Sequence, residues 1–477
     1  MLLMSNVKTS VGKFLAKVGG PFARFGSGSG KSFPGIIFSK VAGIEAISDL
    51  SKELKNGSII LTGTNGKTTT TTLLIELLSN DTQIRSSFES NTINAIATAF
   101  ITQKGDLGVF EYGIRNIKYG IPDTVQRVVD PVGVAYTTIS QEHTQVAGVK
   151  NPFKDYFKAK LLLSEGMQRG IVVTNADDPR TAYIGYLKEQ DIDVNYYGIA
   201  IDDIVDIFDE EDIECPNCGE TLNYTERFLN HRGIYDCSCG FKRPEPDVKL
   251  TNAVFGDSSW TLTIEGNLYN YTCSCDLSFN VEITVPPFGF HNIYNTLAAI
   301  TAYASFTPEI ENIESTIKKV FNNLDMSFIP PGRFEVVKVG DKHIGLGQGD
   351  NGDAMKINAL FMKQYAKDSL EFIYTTPDVN EEDIFNDHFK VIKAMNPDHV
   401  IVVPGRQSIE KAEEYYNIVK KDFDTAVFYP LSYEEMDKRI AKLTDLALNS
   451  EYKNVIMTGC GEEQAMWENI KRNIINR

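Results

Sequence analysis

Residues 58–69 read Ser-Ile-Ile-Leu-Thr-Gly-Thr-Asn-Gly-Lys-Thr-Thr, and this stretch decides the fold of the chain. Its first five residues are a short apolar run typical of a buried strand, and residues 68–79 have the apolar spacing of a helix. The glycines between them let successive backbone N–H groups face phosphate oxygens at the start of a helix, where partial positive charge also favours an anion. The stretch therefore predicts a strand, a phosphate-binding loop and a helix, the beginning of an α/β fold.

Within this loop we expect Lys67 to contact the β- and γ-phosphates and Thr68 to offer its hydroxyl to Mg²⁺. The common phosphate loop has its first glycine where Leu61 stands, so this loop is a short variant. A plain glycine turn between strand and helix is the alternative. We predict that ATP and Mg²⁺ bind here, through Gly63, Thr64, Asn65, Gly66, Lys67, Thr68 and Thr69.

Further apolar strands are predicted on both sides of a proline-rich break. Residues 107–110, 133–137 and 170–174 alternate with helical stretches, which indicates a parallel sheet with crossover helices. Residues 248–286 read as alternating strands. A second α/β unit has candidate strands at 372–376, 399–403 and 454–458, after a predicted hinge at Pro330-Pro331-Gly332. We predict a short N-terminal substrate-side segment (1–57), a central ATP-binding domain (58–330) and a Rossmann-like C-terminal α/β domain (331–477).

Composition excludes several classes of function. Hydrophobic residues make up 42% of the 477 residues and charged residues 23%, as in an average globular protein. A net charge of −17 argues against a general nucleic-acid binder, which needs clustered Lys and Arg. No stretch has the roughly 20 apolar residues of a membrane span, and no signal peptide is recognisable, so a cytoplasmic location is predicted.

Two N-terminal features have competing interpretations. Residues 1–17 could form an amphipathic helix on a membrane surface, but packing against the parent domain is the preferred interpretation. Residues 19–35 are rich in Gly, Ser and Pro and predict a loop. Gly30-Lys31-Ser32 within them imitates a phosphate loop, yet no apolar strand precedes it and Pro34 is expected to interrupt any helix after it.

The seven cysteines do not suggest a disulfide scaffold in a long chain of this composition. Cys215-Pro-Asn-Cys218 and Cys237-Ser-Cys239 are typical of the two knuckles of a zinc ribbon, in an insertion at about 210–246. Four thiolates would leave no open position for water, so the Zn²⁺ is expected to be structural and His231 to be spare. At Cys273-Ser-Cys275, strand alternation predicts two buried structural cysteines on one sheet face, with metal binding as the alternative.

Residues 63–69 resemble the nucleotide loop of the Mur ligases and of their folylpolyglutamate and cyanophycin synthetase relatives. Other segments resemble that family's motifs in the same order: Val109-Phe110-Glu111, Gln141-Glu142-His143, Ala159-Lys160, Thr174-Asn175-Ala176-Asp177-Asp178, residues 289–295, Gly332-Arg333-Phe334-Glu335, Asp350 and residues 459–463. The resemblance covers roughly residues 58–470. It implies a Mur-ligase-like fold with a phosphate-loop central domain, a zinc-ribbon insertion and a Rossmann-like C-terminal domain.

The resemblance also implies a reaction, in which ATP phosphorylates a carboxylate and an amine attacks the acyl phosphate. Lys67, Glu111, His143 and Lys160 would be the catalytic residues, and the last three would hold Mg²⁺ together with Thr68. Lys160 would act as a carbamate; Lys158 in its place, or a surface salt bridge for Lys160, is the alternative. Asn292 and Asn295 would lie on the adenine side, while Arg333 and Asp350 would reach ATP from the C-terminal domain; Asp350 could instead belong to an Asx turn.

Within the family, the short N-terminal segment is similar to that of archaeal pseudomurein peptide ligases, which suggests an amino acid and a peptide or nucleotide-linked precursor as substrates. The cysteine pattern resembles the ribbon of MurT-type ligases, which amidate with ammonia from a glutaminase partner. A third interpretation, from another class, is a zinc-ribbon ATPase that switches a partner. Nucleic acid is not an expected partner of the ligase.

Overall fold

The computed structural model describes residues 2–19, 32–87, 90–140, 152–201, 212–256, 258–325, 332–366, 368–406, 408–461 and 464–476. The helices are α1 (Leu2–Gly19), α2 (Phe33–Ala42), α3 (Ile47–Ser51), α4 (Lys67–Leu78), α5 (Ile93–Thr102), α6 (Ile117–Gly120), α7 (Pro122–Val129), α8 (Pro152–Glu165), α9 (Pro179–Lys188), α10 (Phe290–Phe306), α11 (Ile313–Phe321), α12 (Gly352–Lys363), α13 (Glu382–Met395), α14 (Ile409–Asp422), α15 (Met436–Leu448) and α16 (Gln464–Ile475).

The strands are β1 (Ser58–Thr62), β2 (Ile84–Ser87), β3 (Leu107–Glu111), β4 (Gly133–Tyr136), β5 (Ile171–Asn175), β6 (Asp193–Ile199), β7 (Asn223–Arg227), β8 (Gly233–Asp236), β9 (Val248–Phe255), β10 (Trp260–Asn270), β11 (Cys275–Val285), β12 (Glu335–Val339), β13 (Lys342–Gln348), β14 (Leu370–Thr376), β15 (His399–Pro404), β16 (Val427–Phe428) and β17 (Asn454–Gly459). These bounds confirm the predicted strands, each of which lies within one or two residues of its expected place.

A nine-stranded sheet has the order β11-β10-β9-β6-β5-β4-β1-β3-β2 and is parallel from β2 to β9, while β9, β10 and β11 pair antiparallel. Strand β1 lies between β4 and β3 and is buried on both faces, as expected of a parallel strand between helical layers. Ile59 and Leu61 pack in the apolar layer that contains α4 and α10, whereas Ile60 packs in the layer that contains α5, α7 and α8. The carboxyl end of β1 therefore lies between two layers of helices, flanked by the ends of β4 and β3.

A second, six-stranded sheet has the order β12-β13-β17-β14-β15-β16 and is parallel except for β12. Aromatic side chains connect the first sheet to the elements around the second: the ring of Trp260 on β10 lies 5.7 Å from that of Phe361 on α12, which lies 6.2 Å from that of Phe334 just before β12. All three belong to one buried apolar cluster. Residues 326–331, which include two residues of the predicted hinge, lie outside the described part of the chain, and the predicted domain boundaries stay a prediction.

Helix α1 packs on the chain through its small residues. Ala16 is fully buried, and a side chain added at Gly12 would contact Phe38 and Ala42 of α2. The larger apolar residues among positions 7–18 of α1 face away from this contact and are exposed. The preferred interpretation, packing against the parent domain, is therefore confirmed for the helix, although the contact is made by its small residues and not by its larger apolar ones. Across the described ranges, no helix combines the length and hydropathy that crossing a bilayer requires.

Two local predictions are corrected. Pro34 does not prevent a helix: α2 begins at Phe33, because a proline in the first turn lacks an N–H that would have had no partner there. Gly30 and Lys31 lie outside the described residues. Cys273 and Cys275 are not buried on one sheet face; they form a disulfide at the turn between β10 and β11, where Ser274 has a positive φ of 54° and Cys273 is exposed.

Candidate active site

The phosphate loop connects β1 to α4 in the predicted place, and its glycines are required by close neighbours. Gly66 has a φ of 83°, and a Cβ there would lie 2.2 Å from Oδ1 of Asn295. A Cβ at Gly63 would lie 1.9 Å from Oγ1 of Thr137. Side chains at these positions would push the loop away from β4 and α10, so both glycines set the path of the backbone.

Thr64 anchors the loop to the residues that follow β4. Its N–H donates to the Thr138 carbonyl at 2.6 Å, and its Oγ1 accepts from the Ser140 N–H at 3.0 Å. The hydroxyl of Tyr156, on α8, lies 2.9 Å from the same Oγ1. Lys67 turns back over the loop and donates from Nζ to the Thr64 carbonyl at 2.7 Å. The segment after β4, helix α8 and the side chain of Lys67 thus hold the loop in its observed conformation.

Glu111 lies beside the loop because β3 pairs with β1 in parallel, with Glu111 opposite Leu61. The carboxylate is 4% exposed and accepts a hydrogen bond of 2.8 Å from Oγ1 of Thr68. Burial raises the pKa of Glu111, while Thr68, Lys67 and Asn91 act in the opposite direction. A hydroxyl and a carboxylate oxygen this close are hard ligands of the kind that Mg²⁺ takes from proteins.

Lys160 reaches the same place from α8 and is 1% exposed. Its Nζ donates to Oγ1 of Thr62 at 3.0 Å and to the carbonyl of Gly63 at 2.9 Å. Burial, and then the nearby charge of Lys67, bring the pKa of Lys160 well below its usual range, although Glu111 opposes the change. The surface salt bridge considered for Lys160 is therefore wrong. Lys158, the sequence alternative, is exposed.

Asn292 and Asn295 lie at the start of α10, which packs against α4. Asn295 donates from Nδ2 to Oδ1 of Asn292 at 2.7 Å and receives a hydrogen bond of 3.4 Å from Thr70. Both asparagines are almost fully buried. Asn295 faces the loop at Gly66 and holds Asn292 beside it, so the structure brings this predicted pair to the nucleotide loop.

The remaining predicted residues divide between the second sheet and the undescribed part of the chain. Arg333 is exposed, and its charge contributes, after burial, to lowering the pKa of His291 to about 3. Asp350 accepts a 3.3 Å hydrogen bond at Oδ1 from the Gly461 N–H, so two predicted C-terminal motifs meet where β13 and β17 end. His143 lies in the range 141–150, outside the described residues.

Sequence reasoning missed several side chains of the site. Asn91 contacts Glu111 from the loop after β2, and Tyr156, Thr62 and Thr137 hold the phosphate loop or Lys160. Thr137 directly follows β4 at the same sheet edge as the loop, a position that could have identified it. Asn91 and Tyr156 are brought in by the packing of other elements, which no local pattern indicates.

The four predicted zinc ligands form one cluster. Their sulfur atoms all lie within 4.8 Å of one another, with Cys215 and Cys239 at 3.8 Å and Cys218 and Cys237 at 3.5 Å. Tetrahedral Zn²⁺ with four thiolates separates its sulfur atoms by about 3.8 Å, so the residues fit this ion. Each knuckle is closed by a backbone hydrogen bond, from Gly219 to Cys215 at 2.8 Å and from Gly240 to Cys237 at 2.9 Å.

This ribbon, residues 212–246, docks on the turn that contains Asp177 and Asp178. Arg243 pairs with Oδ1 of Asp177 at 2.7 Å, and Nε2 of His231 lies 3.2 Å from Oδ1 of Asp178. Oδ2 of Asp178 accepts from the Thr138 hydroxyl at 3.0 Å. Thr138 in turn holds Thr64, so a chain of direct contacts joins the ribbon to the phosphate loop.

Comparison with known proteins agrees with this geometry. Residues 61–232 match the family described as the Mur ligase middle domain. The lipid II isoglutaminyl synthase (glutamine-hydrolyzing) subunit MurT of Staphylococcus aureus strain N315 is 25% identical over 463 residues, covering 92% of this chain and 96% of that protein. The corresponding MurT of Streptococcus pneumoniae is 27% identical over 353 residues, covering 72% of this chain and 71% of that protein.

Two solved structures have the same arrangement. A pseudomurein peptide ligase type C from Methanothermus fervidus superposes with a TM-score of 0.65 at 25% identity, covering 92% of this chain and 83% of that one. MurF from Acinetobacter baumannii superposes with a TM-score of 0.60 at 14% identity, covering 93% and 81%, which bears on the fold alone.

Proposed function

We propose that this chain, a ligase of the Mur family, forms an amide bond between an amino acid and the carboxyl group of a cell-wall precursor of the pseudomurein type, at the expense of ATP. The observation that carries the proposal is the convergence of Thr68, Glu111 and Lys160 on one short phosphate loop. Such a site can neutralise phosphate oxygens and hold a metal ion beside them, which is most of what phosphoryl transfer requires from a protein.

In this proposal each residue has a distinct task. The backbone N–H groups of the loop and Nζ of Lys67 bind the phosphates, since both lie at the positive end of α4. Thr68 and Glu111, with His143, would hold Mg²⁺, which when bound supplies positive charge between the phosphates. Asn292 and Asn295 would border the nucleotide base, and Arg333 and Asp350 would approach ATP from the second sheet.

Lys160 is proposed to act as a carbamate. A carbamate forms only from an uncharged amine, and burial lowers the pKa of this lysine, so the neutral form is more accessible than for an exposed lysine. Addition of CO₂ would turn a cation beside Glu111 into an anion suited to a second Mg²⁺. The ammonium form would instead repel that ion.

The cysteine cluster is proposed to hold a structural Zn²⁺. Four sulfur ligands leave no open position, so the metal would fold the ribbon and keep it docked on Asp177 and Asp178 without taking part in the reaction. A ribbon this small has little core of its own, which makes its folding depend on the metal.

The alternative substrate is ammonia from a glutaminase partner, and the MurT relatives, which align along nearly the whole chain, favour it. The experiment is a screen of phosphate release with purified protein, ATP, Mg²⁺ and a precursor peptide, against amino acids and ammonium. Release that requires one amino acid supports the peptide ligase. Phosphate release that requires ammonium, or glutamine with an added glutaminase, would show that the nitrogen substrate is ammonia and not an amino acid. Release that depends only on nucleic acid would favour an ATPase switch and refute the ligase.

A further inference from the structure

Helix α1 carries an exposed apolar stripe on the side opposite its contact with α2. Its members are Val7, Val11, Phe14, Leu15 and Val18, with 59%, 46%, 66%, 43% and 49% of their surfaces exposed. At about 100° per residue these five positions fall within an arc of about 100°, which is one continuous face. Contiguous apolar surface of this kind marks an interaction site, because a soluble surface gains nothing by exposing it.

The stripe continues at the end of the helix. Phe33, at the start of α2, is 40% exposed and lies beside Gly19, since a Cβ added at Gly19 would be 4.0 Å from its ring. The opposite face of α1 is fixed to the protein by Ala16, by a hydrogen bond of 2.9 Å from Thr9 to Asp49 and by the ion pair of Lys13 with Glu53 at 2.5 Å. The exposed face is therefore presented by a helix that is already folded and anchored.

The positive charge beside the apolar stripe indicates what kind of surface the stripe binds. The exposed side chains of Lys8 and Lys17 border the apolar arc on its two sides, and residues 1–19 contain no Asp or Glu although the whole chain has a net charge of −17. A basic border around an apolar face matches an anionic lipid surface, where the apolar side chains enter the acyl boundary and the lysines remain with the headgroups. A second copy of the helix would bring lysines against lysines.

We propose that α1 docks the protein on an anionic membrane surface, lying in the interface without crossing it. The carboxyl end of α1 leads toward the candidate active site: Gly19 lies beside Phe33, Oγ of the preceding Ser32 lies 2.7 Å from Oγ of Ser90, and the adjacent Asn91 contacts Glu111. Docking through the stripe would thus hold the reaction site near the lipid headgroups. This inference concerns location and does not depend on which substrate the ligase uses.

The test is co-sedimentation of the full chain with vesicles of phosphatidylglycerol and phosphatidylcholine, compared with phosphatidylcholine alone. The wild type should bind the anionic vesicles, and binding should weaken as salt is added. The double variant Val11→Ser/Phe14→Ser should bind about tenfold more weakly, because it removes two large apolar side chains from the stripe. Lys8→Glu/Lys17→Glu should also lose binding to the anionic vesicles.

Val254→Ser is the matched control, since Val254 is 60% exposed on β9, outside the stripe, and its replacement should change nothing. Circular dichroism and thermal unfolding establish whether each variant is folded. We expect all of them to fold, because the replaced side chains are exposed. Wild-type protein that sediments equally little with both kinds of vesicle would overturn the proposal. The proposal would also be overturned if the protein bound no vesicles but self-associated as its concentration rose, and if Val11→Ser/Phe14→Ser abolished that association. The stripe would then be the contact surface for a second copy of the chain.

Discussion

Nε2 of His231 lies 3.2 Å from Oδ1 of Asp178, and both side chains are almost completely buried. Burial lowers the pKa of His231, with Asp178 acting in the opposite direction, and the ring belongs to the folded interior. The same carboxylate accepts hydrogen bonds from the Thr138 hydroxyl and the Ile139 N–H, each at 3.0 Å. The contact therefore lies between the cysteine cluster and the nucleotide loop.

His231→Leu should weaken ATP binding without releasing zinc. The variant removes one partner of a buried carboxylate, which destabilises the fold by about 2 kcal/mol and loosens the segment that holds Thr64. We expect a several-fold increase in the KM for ATP with unchanged zinc content. A KM equal to that of the wild type would show that the ribbon and the nucleotide loop are not coupled through this contact.

Lys67→Ala should abolish ATP turnover and leave the fold intact, because the half-buried lysine supplies charge to the loop and little to the core. Phosphate release and circular dichroism measure the two effects. Lys52→Ala, which alters an exposed lysine elsewhere, is the control and should behave as wild type. Retained turnover in the Lys67 variant would eliminate the proposed nucleotide site.

Cys215→Ser should lower the zinc content of anaerobically purified protein and the thermal stability of the chain, since the ribbon folds around its metal. Ser238→Ala changes an exposed residue between two cysteines of the same cluster without removing a sulfur, and should keep one zinc per chain. Wild-type protein that contains less than one zinc per chain would contradict the assignment of the cluster.

Lys160→Ala should lose most activity, and short carboxylic acids should partly restore it by placing an oxygen anion in the vacated space. Wild-type activity should depend on dissolved bicarbonate if the carbamate forms. Lys158→Ala is the matched control on the same helix and should remain active. A carbamate ligand would be ruled out if Lys160→Ala were fully active. It would also be ruled out if bicarbonate did not change the activity of the wild type and carboxylic acids did not change that of the variant.

His388→Gln should reduce the loss of unfolding free energy that occurs when the pH is lowered. His388 is fully buried beside Tyr374, and burial lowers its pKa to about 4 from an ordinary value of 6.5. Between these two values the unfolded chain binds a proton that the folded chain does not, so the free energy of unfolding falls as the pH falls. The wild type should lose up to about 3 kcal/mol from this group between neutral pH and pH 4, and the variant should lose less.

Urea unfolding of wild type and His388→Gln at neutral and acidic pH provides the measurement, and the difference between the two proteins isolates this histidine from other groups. Equal loss of stability in both proteins would show that the proton uptake occurs elsewhere. Since His388 lies against the backbone of Gly349 and Asn351, the same variant also tests support for the segment around Asp350.

The predictable parts of this protein are those that adjacent residues determine. The strand at 58–62 and the loop at 63–69 are recognised because one buried strand, two glycines and a lysine occur in sequence, and the four ribbon cysteines because their spacing fits a tetrahedral ion. Lys160 could be nominated from its motif, but its contact with the Gly63 carbonyl depends on how α8 crosses the sheet.

The wrong prediction at Cys273 and Cys275, and the contacts that sequence reasoning did not predict, have physical causes. For α1, apolar spacing predicts the face that packs, yet Gly12 and Ala16 let the helix approach α2 closely and leave the larger side chains outside. At Cys273-Ser-Cys275, strand alternation fails because the chain reverses there and Ser274 adopts a positive φ. For His231, its partner Asp178 is distant in sequence, and only the docking of the ribbon brings the two together.

The aromatic contact between Trp260 and Phe361 restricts how the two sheets can move relative to each other. A hinge motion that separates the two sheets would break a continuous buried apolar layer and expose its aromatic rings to water. A shear motion, in which one sheet slides along the other, would keep those rings covered. A shear of this kind would preserve the apolar layer. Trp260 lies within that layer, so its fluorescence, measured with the second tryptophan replaced in Trp467→Phe, would report the displacement when nucleotide is added.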